Sequence, residues 1–391
     1  MKRLLESATP LYWAEEVVVA ILLRLYEGRL ETMAELTGLN SLCRVSHQFG
    51  RVVQESVRAS IRYIDPRVLD RTSLVLLAYF PGVEELTLAV ERNQSDQYHY
   101  IPFASLRKLY FREIDNSGVR FPLERLTRLE ALSLGHNHIS NDALAYMTQL
   151  KRLDLRRDFQ SRGLILPLFT CLERLVLNAQ SAVTDATLAC LPSLHTLGLG
   201  ICPTVSDAGL CSRLTSLDLA SNTTITGGVL TQLVHLRTLS LAFNKRVMDR
   251  ELRQLTGLTS LDVAGSSKIT GHALSVLTAL TELHFDAAHL KMGHSLRRLT
   301  RLETLKQCDY HTCHAIALSN VELMRSLRFL RLPTEETIGV IFMEQHPQLT
   351  ALTVKFKKCV TKAARTIMTK RGGHIGRIDD YSNALNKIFI L

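Results

Sequence analysis

Aromatic residues make up only 6% of the chain, with a single tryptophan, so leucine has to fill most of any core. Long apolar runs are missing. Near the start the longest is Val17–Leu23, far below the roughly 20 residues that cross a bilayer as a helix. The opening MKRLLESATPLYWAEE has a basic end, but acidic residues follow before any apolar core, so no secretory leader is expected. The eight cysteines have no regular spacing. That argues against a disulfide framework and for reduced thiols buried in a cytoplasmic or nuclear protein, as at Cys171, Cys190 and Cys202.

Catalytic frames are lacking too. There is no Gly-x-Ser-x-Gly and no His-Glu-x-x-His. Lys370–His374, KRGGH, lacks the frame of a phosphate loop and reads as a turn. Cys308–His314, CDYHTCH, holds two Cys and two His in a stretch too short to wrap a tetrahedral ion, with no second pair at the usual spacing. The expectation is a protein that is not an enzyme, with no cofactor and no metal.

What is present is leucine in a fixed frame. The chain has 391 residues, 46% of them hydrophobic, and a formal charge of +10. That allows a large core, and the basic balance favours acidic partners. Leu-x-x-Leu-x-Leu recurs from Leu129/Leu132/Leu134 through Leu214/Leu217/Leu219 and Leu236/Leu239/Leu241 to Leu349/Leu352/Val354, mostly every 22 residues. Upstream, Val83/Leu86/Leu88 and Leu106/Leu109/Phe111 keep the frame. This is the period and skeleton of leucine-rich repeats. Alternation along each short strand sends the leucines to one face and the intervening residues to the other. One strand cannot bury its leucines alone; stacked copies form a curved parallel sheet with a continuous core.

The rest of the unit repeats as well. Asn137, Asn222 and Asn244 fall at one position of the frame, with Cys202 and Ser266 in the same place elsewhere. A small polar side chain there can bond backbone groups where the strand turns. Thr184-Asp185, Ser206-Asp207, Thr226-Gly227 and Thr270-Gly271 each precede a short apolar-periodic stretch. Ser or Thr in that place is a helix N-cap signal. Each unit therefore reads strand, turn, capped short helix, an α/β solenoid with convex helices. Arg71–Pro81 is expected to supply a leading cap helix and 356–391 a C-terminal cap, which leaves 61–355 for the solenoid.

Residues 1–60 do not fit the frame. Glu16–Tyr26 reads as a helix with Ile21, Leu22 and Leu25 on one side. Leu39, Leu42, Val45, Phe49 and Val53 form one apolar face of another. One reading is a helical cap on the solenoid. The other is a resemblance: Glu16, Ile21-Leu22, Leu42, Val45 and Phe49 are similar to the F-box pattern. Ser46 stands where Cys is usual and Phe49 where Trp is usual; Pro10 and Leu11 come inverted and early. Repeats such as LGLGICPTVSDAGL likewise resemble those of F-box/leucine-rich-repeat proteins. The resemblance implies a substrate-recruiting subunit of a cullin-RING ubiquitin ligase. Pro10, Leu11, Ile21, Leu22, Leu25, Leu42, Val45 and Phe49 would contact a Skp-type adaptor in the cullin complex, and the repeats would select the substrate.

The outward strand positions should line up into columns on the sheet. The early ones are Lys108, Tyr110 and Arg112, then Arg152, Asp154 and Arg156, then Arg174. The middle ones are small, such as Thr196, Gly198, Ser216 and Ser240. Late ones include Glu282, His284, Lys306 and Arg331. Clustered arginine suits a carboxylate or phosphate, so an acidic or phosphorylated protein segment is the expected substrate. No membrane partner is expected. Nor is nucleic acid, because exposed aromatics that would stack on bases are scarce.

Overall fold

The computed structural model describes residues 29–30, 63–64, 77, 80–88, 101–111, 125–134, 141–156, 163–177, 182–286, 293–308, 317–333, 336–354 and 357–377. They belong to two compact units, one of residues 1–160 and 168–172, the other of 161–167 and 173–391.

In the first unit, strands β1 (Arg29–Leu30), β2 (Tyr63–Ile64), β3 (Glu85–Leu88), β4 (Lys108–Phe111), β5 (Ala131–Ser133) and β6 (Arg152–Leu155) pair in chain order, all parallel. Leu86, Leu109, Leu132 and Leu153 are register partners and are buried. A short helix, α1 (Asn141–Leu144), returns the chain between β5 and β6. Within 1–60, the stretch expected to be helical, the described residues are β1 alone, and they are extended. The proposed adaptor residues Pro10, Leu11, Ile21, Leu22, Leu25, Leu42, Val45 and Phe49 lie outside the described residues. So do Arg112, Asn137 and most of the expected cap helix 71–81, of which Leu77 and Phe80 are described and buried.

The second unit runs through β7 (Arg174–Leu177), β8 (Thr196–Leu199), β9 (Ser216–Asp218), β10 (Thr238–Ser240) and β11 (Ser260–Asp262). It continues through β12 (Glu282–Asp286), β13 (Thr304–Cys308), β14 (Phe329–Leu332), β15 (Ala351–Val354) and β16 (His374–Arg377). Every neighbour is parallel. One register column reads Leu175, Leu197, Leu217, Leu239, Leu261, Leu283, Leu305, Leu330, Leu352 and Ile375. Its leucines are at most 1% exposed. Each buried leucine stabilises the array by about 1.5–3 kcal/mol, but only because the coils on both sides cover it.

The return segments carry α2 (Asp185–Ala189), α3 (Gly227–Leu230), α4 (Asp249–Leu252), α5 (Gly271–Leu274), α6 (Gly293–Leu296), α7 (Val340–Gln345) and α8 (Lys362–Lys370). Thr184 and Thr270 cap α2 and α5 through their side chains. Ser206 caps a 3-10 turn, Asp207–Gly209, rather than an α-helix. Thr226 holds the cap position of α3 but makes no side-chain cap bond; its hydroxyl donates to the preceding coil.

That bond is part of a recurring staple. Asp185 accepts the Ser206 N–H at 2.8 Å and its hydroxyl at 2.6 Å. Asp207 accepts the N–H of Thr226 at 2.7 Å and its hydroxyl. Asp249 does the same for Thr270, with the N–H at 2.6 Å. Where glycine replaces the aspartate, at Gly227, the next coil has Met248 in the hydroxyl's place, and Glu251 accepts the Met248 N–H at 3.1 Å instead. A Cβ on Gly227 would come within 2.6 Å of Glu251 Cγ, so glycine and glutamate fit as a pair.

One expectation changes. Cys202 is buried, but Cys171 and Cys190 are exposed; Cys190 is the C-cap of α2 and sits at a helix end rather than in the core. The segment expected to be a C-terminal cap builds one more coil, in which α8 leads through the turn at Gly372 (φ +70°) into β16, parallel to β15. Arg371 ties this coil to the one before. Its guanidinium donates to the carbonyls of Met343 and His346 at 3.0–3.1 Å, at the C-terminal end of α7. His346 is fully buried, with ring nitrogens 2.8 and 2.9 Å from the carbonyl oxygens of Phe342 and Val321.

Candidate binding face

The outward positions of the strands form straight columns, because every register is parallel and in step. In the first unit Lys108, Ala131 and Arg152 share one column, and Tyr110, Ser133 and Asp154 share the next. The expected basic patch is partly neutralised there. Lys108 Nζ lies 3.0 Å from Glu85, and Arg156 makes a two-pronged pair with Asp154 at 2.7–3.1 Å. Arg152 stays exposed. In the second unit Arg174 begins the column that continues through Thr196, Ser216, Thr238, Ser260, Glu282, Thr304 and Phe329. Lys306 and Arg331 are direct register partners in the adjacent column.

The two largest pKa shifts among the described residues, at Asp262 and Glu282, fall where these two columns meet. His284 is only 4% exposed at its side chain. Its Nε2 lies 3.2 Å from Glu282 Oε1 and its Nδ1 3.8 Å from Asp262 Oδ2. The hydrogen bond with His284, the charges of His284 and Lys306 and the Ser260 hydroxyl hold Glu282 down at about 2, against its partial burial. Burial dominates at Asp262 and pushes it up to about 6, and the charge of Asp218 adds to the shift; His284, the Ala264 N–H and Lys306 oppose it. Two carboxylates flank one imidazole and both are favoured by it, but at Asp262 burial outweighs the gain. Lys306 Nζ is 3.4 Å from Glu282 and 5.3 Å from the centre of the Phe329 ring.

Sequence reasoning singled out Lys306, Arg331, His284 and Glu282 but passed over Asp262. The signal was available, because Asp262 in Leu261-x-Val263 falls at the frame position of Asp218 in Leu217-x-Leu219.

The turns that leave this face are held by the expected polar position. Asn244 donates to the carbonyls of Leu219 and Asn222 at 3.0 and 3.2 Å and accepts from the N–H groups of Arg246 and Val247 at 2.8 and 3.1 Å. Asn222 makes the same set to Leu199, Gly200, Thr224 and Ile225. Ser266 donates to the carbonyl of Leu241. The fold is a leucine-rich repeat.

No protein-family model and no curated protein matches the chain. Solved structures do. Rad7 in the yeast Rad7–Elc1 complex is 17% identical, covering 92% of each chain at a TM-score of 0.49. An internalin, InlF, from Listeria monocytogenes is 22% identical over 78% of this chain and 83% of its own, TM-score 0.43. The leucine-rich-repeat protein LIC12759 of Leptospira interrogans is 16% identical over 83% and 96%, TM-score 0.40. Among the described residues no helix is long and apolar enough to cross a membrane, and no three His, Cys, Asp or Glu side chains are grouped to hold a metal ion.

Proposed function

We propose that the protein is a non-enzymatic recruiting subunit of an SCF-type ubiquitin ligase. Its N-terminal segment docks a Skp-type adaptor, and its repeat face binds the substrate. The observation that carries the binding half is the outward face of the strands, where side chains are aligned column by column and charge is placed unevenly along them. The adaptor half rests on the F-box resemblance of residues 10–55. Such a subunit acts through effective concentration: it holds a substrate near a loaded enzyme and makes or breaks no bond itself. Arg152, exposed beside the Arg156–Asp154 pair, supports an acidic or phosphorylated segment as the ligand of the first unit.

A stand-alone interaction scaffold is the second reading, favoured by one observation. Arg29–Leu30 pairs parallel with Tyr63–Ile64, which pairs in turn with Glu85, so the repeat ladder reaches back into the segment assigned to the adaptor.

Pull-down with a purified Skp-type adaptor separates the two. On the ligase reading the full chain is captured, and Leu42→Glu with Phe49→Glu abolishes capture while the thermal melt of the repeats is unchanged. No capture of the unaltered chain, or a melt that collapses with the substitutions, selects the scaffold.

A further inference from the structure

Asp218, Ser240, Asp262, His284, Lys306 and Arg331 are successive register partners across β9 to β14. They form a strip whose sign changes along its length. Two carboxylates lie at one end, an ammonium and a guanidinium at the other, and an imidazole already engaged by Glu282 lies between. Ser240 sits between the carboxylates. It is 4% exposed, and among the described residues no partner reaches its hydroxyl. In the next column Ala242 and Ala264 carry only methyl groups, so no long side chain stands beside the strip at these two positions.

We propose that this strip docks an extended segment of a partner protein that carries a lysine or arginine and, four residues away, an aspartate or glutamate. The proposal rests on the protein-binding reading above and specifies the ligand of the second unit. The cation sits over the Ser240 hydroxyl between Asp218 and Asp262; the carboxylate meets Lys306, with Arg331 one strand further on adding its charge. Spacing follows from two repeats. Strands lie about 4.8 Å apart, so Ser240 and Lys306, three strands apart, are separated by about 14 Å. An extended chain advances about 3.3 Å per residue, so four residues span about 13 Å. Its side chains alternate, so an even spacing puts both charges on the face turned to the strip. Three or five residues would turn one of them away.

Charge complementarity selects the class of partner. The carboxylates repel a phosphate backbone or an anionic membrane surface, and the strip has no apolar face for lipid to cover. Burial leaves Asp262 a poorly compensated carboxylate, raised to about 6, and an arriving cation supplies the missing charge.

The test uses the full chain and labelled eleven-residue peptides of a Gly/Ser/Thr host, each with one lysine and one glutamate three, four or five residues apart, followed by fluorescence anisotropy. The expected result is at least tenfold tighter binding at a spacing of four. Asp262→Asn and Arg331→Gln should each weaken it fivefold or more. Lys245→Gln, on the exposed turn, should leave it unaltered. Equal binding at all three spacings, indifference to Asp262→Asn, or no binding by any peptide overturns the proposal. The adaptor pull-down reads the N-terminal segment and stands apart from each of these results.

Discussion

On the return side of the second unit, Asp185, Asp207 and Asp249 each receive a backbone N–H and a hydroxyl from the following coil. On the sheet side, Asp218 and Asp262 receive the N–H two residues on, at 2.9 Å in both, and no hydroxyl joins it at Asp262. The same side chain is therefore a fastener on one face and a charged feature on the other. The donors around it set the difference. A carboxylate with a matched donor for each oxygen stabilises the array, whereas one buried with fewer donors beside a second carboxylate costs stability wherever it ionises. A repeat protein can lock its coils on one side and, on the other, hold a carboxylate such as Asp262 at a cost set by its burial.

The largest expected effect comes from a polar group whose donors and acceptors are all matched. Asn244→Leu removes the partner of the Arg246 and Val247 N–H groups and of the Asn222 carbonyl, while the Leu219 carbonyl keeps the Asn222 N–H, and should lower stability by about 3 kcal/mol in chemical denaturation. A loss of under 1 kcal/mol would mean that water or a shifted turn replaces the side chain.

The second effect has the opposite sign. Asp262 is raised from 3.8 to about 6. The folded state thus disfavours its charged form, and the cost builds as pH rises from about 4 through about 6. Asp262→Asn keeps the acceptor for the Ala264 N–H and removes the charge. It should stabilise the protein by about 2 kcal/mol at pH 7.5, and the gain should vanish by pH 4. Glu282 behaves inversely. Lowered from 4.5 to about 2, it contributes stability above pH 4.5 that is lost as pH falls toward 2. A flat difference between Asp262→Asn and the unaltered protein across this range would remove the contrast between the two faces.

The smallest effect tests the fastener. A double-mutant cycle of Asp249→Ala and Thr270→Val should give a coupling of about 1 kcal/mol. A pair at the sheet face without a shared bond, Asp218 and Thr238, should give none.

The fold was legible because its causes are local and repeated. Leucine alternation, the Asn222/Asn244 position and the Thr184 and Thr270 caps are each stated in the sequence and realised as bonds within or between adjacent coils. Pairings 19 to 21 residues apart, such as Asp207 with Thr226 and Asp249 with Thr270, were missed because the threonines already had a local explanation as caps. The candidate face was half legible. Lys108, Arg156, Lys306 and Arg331 could be named as outward residues, but sequence spacing does not say that Glu85 and Asp154 neutralise the first two. Nor does it say that Asp262 is buried beside His284. Cys171 and Cys190 misled for the opposite reason: their frame positions look internal, yet they lie at turns and helix ends.

Gly227 and Glu251 bear on how such a chain can grow. Tandem duplication of residues 236–257 would place the Asp249 side chain where Gly227 now leaves room, against the Glu251 of the new copy, and would face Asp249 with Met248 rather than a hydroxyl-bearing residue. Neighbouring coils are thus not interchangeable, and the array cannot be lengthened at that joint by simple copying. A lineage that gained or lost a repeat there would need compensating changes on both sides of the seam.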